Sequence, residues 1–313
     1  MVAITYWGLI SPKKLLTLVG HFCLCRRTMV NKIWWHEIKR KWSCLKSEVP
    51  HARLFSEPRW QDHVAVWYLI YRWLIFLSWI SIIILSIFEV GSYEPQGNDQ
   101  KWAIYLTNWD LVLGAAQAFL GCFLVSRRWK SQRESNYQPD NLVFGKLEKV
   151  YWFLFVATSS IAIGVTVSYW AAVYDPKIHH VDPLNILLHV CNSILMCLDV
   201  CITNIPFRLK HFWWSVAIVT LYAIFSLIYF FAGGLNKDGY DYIYKILDWK
   251  VPGRTLLVCL GGFVFVVAVH CLLCLFVKFK DRLHMKINEK RTDTSSRSDN
   301  QPPVAIKRIE IIV

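Results

Sequence analysis

Two side chains near the starts of two apolar segments could together carry out acyl transfer. Thr107 lies in the run YLTNWD, and His189 begins the run HVCNSILMCLDV. At about 1.5 Å of rise per residue, each lies roughly one helical turn inside its segment, so their depths match. A hydroxyl beside an imidazole is the minimum for nucleophilic catalysis, since histidine takes the proton while the hydroxyl attacks a carbonyl. The residues leave open an alternative, a hydrogen bond that only joins two helices.

Other polar residues accompany this pair. We expect Asn108, Asp110, Asn192 and Ser193 to form a supporting polar shell. Asn108, Asp110 or Asn192 could orient the imidazole or donate a hydrogen bond to a developing oxyanion. A helix turns by about 100° per residue, so the mostly polar residues of the segment that contains His189 fall on one face as a stripe. They are Asn185, His189, Asn192, Met196, Asp199 and Thr203. Because polar groups at membrane depth usually face a bundle interior, this stripe is predicted to turn inward.

A charged pair is predicted deeper in the same bundle. Arg72 and Asp199 each lie within an apolar segment, at similar distances from its cytosolic end. An ion pair between them would neutralise two charges that are costly inside a membrane. We interpret this pair as structural, with a proton or ion relay as the alternative.

These side chains must be positioned by membrane-spanning helices. The composition is 55% hydrophobic, and apolar runs of about 20 residues recur, each long enough to cross a hydrocarbon core roughly 30 Å thick. The predicted fold is all-α, an integral membrane bundle of six transmembrane helices at 64–88, 104–126, 150–174, 184–205, 212–232 and 255–277. In the second helix, small residues share the face of Thr107 and Asp110, which lets a neighbouring helix approach closely.

The distribution of charge predicts the topology. The net charge of +13 lies mainly in segments before the first span, between spans two and three, and after the last span. By the positive-inside rule, both termini are cytosolic. Residues 1–63 then form a basic, tryptophan-rich cytosolic arm, the transmembrane domain covers 64–279, and 280–313 forms a largely disordered cytosolic tail. We expect no nucleic-acid partner, because the basic residues follow the topology.

No cofactor or metal is expected. The sequence has no nucleotide-binding loop, metal-ligand cluster or haem ligand pair. The ten cysteines lie outside the predicted extracellular segments, so no extracellular disulfide framework is indicated.

A set of motifs in order resembles the Rolling stone family. The motifs are YLTNWD at 105–110, SYWAAVYDP at 168–176, HVCNSILMCLDV at 189–200, IPFRLKHFWW at 205–214 and YFFAGGLNKDGYDYIYKILDWKVPG at 229–253. The resemblance covers all six spans. It implies a role in cell–cell fusion, such as myoblast fusion, or in a related developmental step, in the plasma membrane or the endoplasmic reticulum. For such a role, the extracellular segment 233–253 is the candidate surface for a partner.

More distantly, the layout resembles the androgen-induced and androgen-dependent membrane hydrolases. That resemblance implies cleavage of fatty-acid esters of hydroxy fatty acids by an intramembrane threonine and histidine, here Thr107 and His189. The residues that follow both positions depart from those enzymes, which indicates a different substrate or no catalysis. Membrane lipids, and a lipid ester as substrate, are the partners that this interpretation predicts.

Overall fold

The structure is a computed structural model, and it describes residues 49–97, 99–176 and 181–299. Six helices in these residues are long and apolar enough to cross a membrane, as predicted, and no β-strand occurs among them. Their bounds are α1 Val66–Ile87, α2 Leu106–Ser131, α3 Lys146–Val173, α4 Pro183–Ile202, α5 Phe212–Phe231 and α6 Pro252–Asp299. Short 3₁₀ turns lie at Ala52–Phe55, Asp99–Ile104, Pro139–Asn141, Leu209–His211 and Lys245–Leu247. The chain is therefore a multi-pass integral membrane protein.

Two helices continue well past their predicted ends. α2 runs to Ser131 rather than to residue 126, because arginine and lysine at its end are good helix formers. α6 runs to Asp299 rather than to residue 277, and no glycine or proline interrupts it after Val277. The first part of the tail that the sequence predicts to be disordered is therefore helical. Residues 300–313 lie outside the described part of the chain.

α3 lies at the centre of the bundle. About two-thirds of its most apolar stretch is buried, compared with 17% of the corresponding stretch of α5. It also contacts α2, α4, α5 and α6. Its buried middle section consists largely of small side chains: Ala157, Thr158, Ser159, Ser160, Ala162 and Gly164. Small side chains let helix backbones approach closely, which allows several helices to pack around one.

Glycines on α2 make room for large side chains of α1. Gly114 faces the ring of Trp79, and Gly121 faces the guanidinium of Arg72. A methyl group at either position would overlap the facing side chain. The antiparallel register of α1 and α2 therefore places Arg72 opposite the later part of α2 and Ser86 opposite its start.

Part of the predicted N-terminal arm belongs to the bundle. The ring of Phe55 is buried, with ring centroids 5.2 Å from Phe144 and 5.7 Å from Trp152. Glu57 accepts hydrogen bonds from the Arg128 side chain at 3.0 Å and 2.5 Å. The remainder of the arm, residues 1–48, lies outside the described residues.

The segment that follows α1 and the segment that follows α5 contact each other. They lie at the end of the bundle where α2 and α4 begin, which we call the pocket end. Glu89 follows α1 in the left-handed conformation (φ 51°), and its carboxylate pairs with Lys237. It also accepts hydrogen bonds from the backbone N–H groups of Gln96 and Gly97. Burial by itself raises the pKa of Glu89, but the bonds from Lys237 and from these N–H groups outweigh it and hold the pKa below the usual value. The segment after α5 is thus fastened to the segment after α1.

Candidate functional site

A cavity of about 600 Å³ opens at the pocket end, and we call it the loop pocket. The starts of α2 and α4, the end of α3 and the two connecting segments enclose it. The side chains that bear on its chemistry are Ser86, Asn108, Thr107, Tyr169, Asn185, His189 and Tyr244. Thr107 and His189 therefore both lie on the wall of this cavity.

Thr107 is the second residue of α2, where backbone N–H groups lack partners within the helix. Tyr105 precedes the helix and provides no side-chain cap. The hydroxyl of Tyr244 fills this role by accepting a hydrogen bond from the Leu106 N–H at 3.1 Å. The Thr107 side chain lies near the same hydroxyl, and burial raises the pKa of Tyr244 above its ordinary value. Tyr244 thus holds the start of α2 in place beside the Thr107 side chain.

His189 is positioned by two distorted helix segments that face each other. α3 ends in a π-helical turn at Tyr169–Val173, and α4 contains another at Leu187–Cys191. Such π-helical turns are frequent at functional sites. The two turns place the ring of Tyr169 flat against the imidazole of His189, with centroids 3.4 Å apart and an interplanar angle of 3°.

The start of α4 is fixed by its own polar contacts. Asp182 caps the helix by accepting from the Asn185 N–H at 2.7 Å, and its other oxygen accepts from the Tyr93 N–H at 3.2 Å. The Tyr169 hydroxyl donates to the Asn185 side chain at 2.7 Å. This set ties α3, α4 and the segment after α1 together around His189.

The supporting residues predicted from sequence fall in three places. Asn108 lies in the pocket wall, where it donates to the Trp102 carbonyl at 2.6 Å and contacts Ser86. Asp110 and Asn192 lie one turn below Thr107 and His189 and bond each other at 2.6 Å. Ser193 faces α3, where it bonds Thr166 at 2.5 Å and the Ala162 carbonyl at 2.9 Å. Of the four, Asn108 lines the loop pocket directly.

Arg72 and Asp199 form a separate centre nearer the other end of the bundle. Arg72 donates to Asp199 at 2.6 Å, and both side chains are fully buried. Tyr71 donates to the same carboxylate at 2.8 Å, and Arg72 also donates to the Tyr151 hydroxyl at 3.0 Å. Asp199 follows His189 by ten residues, or about 15 Å along a helix, so this pair takes no part in the loop pocket.

Two tyrosines at the site were missed by the sequence argument. Tyr169 belongs to the motif SYWAAVYDP and Tyr244 to the segment 233–253, so both motifs were visible. Their positions beside His189 and Thr107 depend on π-helical turns and loop packing, for which the sequence gives no periodic signal. Within the described residues, no three His, Cys, Asp or Glu side chains form a metal-binding group.

Comparison with known proteins agrees with the motif resemblance. The sequence model of a family described as Protein rolling stone matches residues 17–289. The Protein rolling stone of Drosophila melanogaster is 28% identical, in an alignment that covers 73% of this chain and 84% of that relative. No solved structure matches the chain. The family match confirms the first resemblance predicted from the sequence.

Proposed function

The chain belongs to the Rolling stone family, and we propose, from the geometry of the loop pocket rather than from that membership, that it binds a lipid ester there and hydrolyses it. The observation that supports this proposal is the position of Thr107 and His189 on the wall of a single cavity of about 600 Å³. A volume of this size is typical of small-molecule sites. Polar groups gather at the starts of α2 and α4, while Leu184, Leu188 and Ile243 contribute apolar side chains to the pocket lining. This arrangement suits a substrate with a polar ester and an apolar chain.

The proposed reaction has two steps. In the first, the Thr107 hydroxyl leaves its contact with Tyr244 and attacks the ester carbonyl, while His189 takes the hydroxyl proton. The ester C–O bond breaks, the leaving alkoxide takes the proton from His189, and an acyl-threonine remains. In the second, His189 removes a proton from water, and the water oxygen attacks the acyl carbon. The bond between that carbon and the threonine oxygen breaks, His189 returns the proton to the threonine oxygen, and the carboxylic acid leaves.

The neighbouring tyrosines support this chemistry. Stacking against Tyr169 fixes the plane of the His189 imidazole. The imidazole is therefore oriented before substrate binds, which lowers the entropy that binding must cost. The Tyr244 hydroxyl lies at the positive end of α2, where it accepts from the Leu106 N–H, and its position there is suited to a developing negative charge on the carbonyl oxygen.

Activity-based labelling tests the proposal. Purified full-length protein in detergent is treated with a fluorophosphonate probe, and the release of hydroxy fatty acid from its fatty-acid ester is measured by mass spectrometry. We expect Thr107→Ala to abolish both signals and His189→Ala to reduce them strongly, with the fold retained. Thr220→Ala is the matched control, because the Thr220 hydroxyl bonds a carbonyl of its own helix away from the pocket. Equal labelling of Thr107→Ala and wild type would contradict the assignment.

We also propose cell–cell fusion or a related developmental step at the plasma membrane as the cellular role. Family membership supports this role, and the segment 233–253 offers a surface for a partner, since Tyr240 is 55% exposed and stacks on Tyr242. A fusion assay in cells that lack the protein separates the two proposals. Rescue by wild type that Thr107→Ala cannot reproduce would link fusion to hydrolysis.

The same assay tests the partner surface. Loss of rescue by Tyr240→Ala, with normal expression at the cell surface, would point to recognition by the segment 233–253. Retention of the wild-type protein in the endoplasmic reticulum would argue against a role in fusion.

A further inference from the structure

Among the described residues, the bundle contains two fully buried aspartates, and their surroundings differ. Asp199 has the guanidinium of Arg72 at 2.6 Å and the hydroxyl of Tyr71 at 2.8 Å. Asp110 has one neutral partner, the side-chain amide of Asn192 at 2.6 Å. The negative charge of Asp199 is therefore balanced by a cation, whereas that of Asp110 faces only a dipole.

Two side-chain oxygens of the Asp110–Asn192 pair, one on each residue, lack hydrogen-bond partners among the described residues. They are Oδ1 of Asp110 and Oδ1 of Asn192, and both side chains are fully buried. The Asn192 side-chain N–H donates to Oδ2 of Asp110. The two unpaired oxygens therefore belong to the two side chains that this hydrogen bond joins. Buried acceptors without a donor are rare in proteins, since each forfeits its interaction with water.

The charged groups of the neighbouring helices do not compensate Asp110. Among the described residues, the side chain that hydrogen-bonds the Asp110 carboxylate is the neutral amide of Asn192. On α1, Arg72 lies against Gly121, which is eleven residues or about 16 Å from Asp110 along α2. On α4, His189 lies one turn nearer the pocket end, with its ring held against Tyr169. An ionised carboxylate at this depth requires a positive charge close by.

We propose that Asp110 and Asn192 bind a sodium ion between α2 and α4. A carboxylate and an amide oxygen are the hard ligands that such a cation prefers, and the single negative charge matches a monovalent rather than a divalent ion. The two side chains supply two ligands, and water molecules would supply the remaining ones. The ion joins the two helices directly below Thr107 and His189 and so stabilises the floor of the pocket. This inference does not depend on the proposed hydrolysis.

Thermal unfolding of the purified full-length protein in detergent tests the sodium site. Sodium chloride is compared with N-methylglucamine chloride at constant ionic strength and pH. We expect the Tm to rise with sodium and then to level off, because an ion that binds only the folded state stabilises it. Asp110→Asn removes the negative charge at nearly constant shape, so its Tm should not depend on sodium.

A second measurement keeps the test independent of the variant's folding. Wild-type protein should bind radioactive sodium in a saturable manner, and unlabelled sodium should displace it. Asp62→Asn is the control, because Asp62 is an exposed carboxylate beside His63 and should leave the sodium response unchanged. Equal stability in sodium and N-methylglucamine, or the absence of saturable binding by wild type, would overturn the proposal and indicate that Asp110 carries a proton or faces water instead.

Discussion

Removal of one partner of the Arg72–Asp199 pair should destabilise the protein strongly. Both side chains are fully buried, and the shortest N–O distance between them is 2.6 Å. Asp199→Asn keeps the shape of the side chain but leaves the Arg72 guanidinium buried without a counter-ion. The hydroxyls of Tyr71 and Tyr151 remain close by, but neither carries a compensating charge.

The magnitude follows from the cost of an uncompensated buried charge. Breaking a buried ion pair by removing one partner typically costs about 3–5 kcal/mol, whereas replacing both partners with apolar residues of similar volume is often neutral. Asp199→Asn and Arg72→Met should therefore each lower the free energy of unfolding by about 3–5 kcal/mol. The double variant Arg72→Met/Asp199→Leu should be more stable than either single variant.

A double-mutant cycle measured by denaturant unfolding in detergent checks this reasoning. The exposed pair Lys250–Asp241 is the matched control. Because solvent screens exposed charges, Asp241→Asn should cost nothing measurable. Additive effects of the two buried substitutions, or a loss of less than about 1 kcal/mol for Asp199→Asn, would refute the assignment of a buried, mutually compensating pair.

Two further predictions concern helix packing and the pocket end. Gly121→Ala should lower stability by about 1–3 kcal/mol, because its methyl group overlaps the Arg72 guanidinium. Gly261→Ala, where nothing lies within 4 Å, should cost little, and equal losses at the two sites would contradict the packing argument. The pKa of Glu89 is held low in the folded protein, so its pairing stabilises the fold above the ordinary glutamate pKa and is lost as the pH falls through the lowered value. The Tm difference between wild type and Glu89→Gln should therefore shrink from about pH 7 to about pH 3.5, and a constant difference would count against the pairing.

Much of the fold could be predicted from the sequence because the bilayer imposes local rules. A spanning helix must satisfy its own backbone hydrogen bonds and remain apolar for about 20 residues, and both requirements are visible in a short window. The polar stripe of α4 shows the same logic, since the cost of exposing Asn192 or Asp199 to lipid predicts that both face inward. The structure buries both residues completely.

The helix ends were harder to predict. Hydropathy marks where a helix leaves the apolar core, but it does not mark where the helix stops. α6 therefore continues to Asp299 through charged residues that favour helix. The sequence predicts that Phe55 belongs to a cytosolic arm, because it lies outside any long apolar run, but Phe144 and Trp152 pack against its buried ring.

The sequence by itself determined the six helices, the faces that turn inward and the similar depth of Thr107 and His189. Tertiary structure decided which partners these residues meet: Tyr244 at Thr107, and Tyr169 at His189. It also decided that the hydrogen-bond partner of Asp199 is the guanidinium of Arg72, whereas that of Asp110 is the side-chain amide of Asn192. Helical periodicity fixes the direction of a side chain on its own helix. The register between helices, and the π-helical turns that shift it, arise from packing among segments distant in sequence.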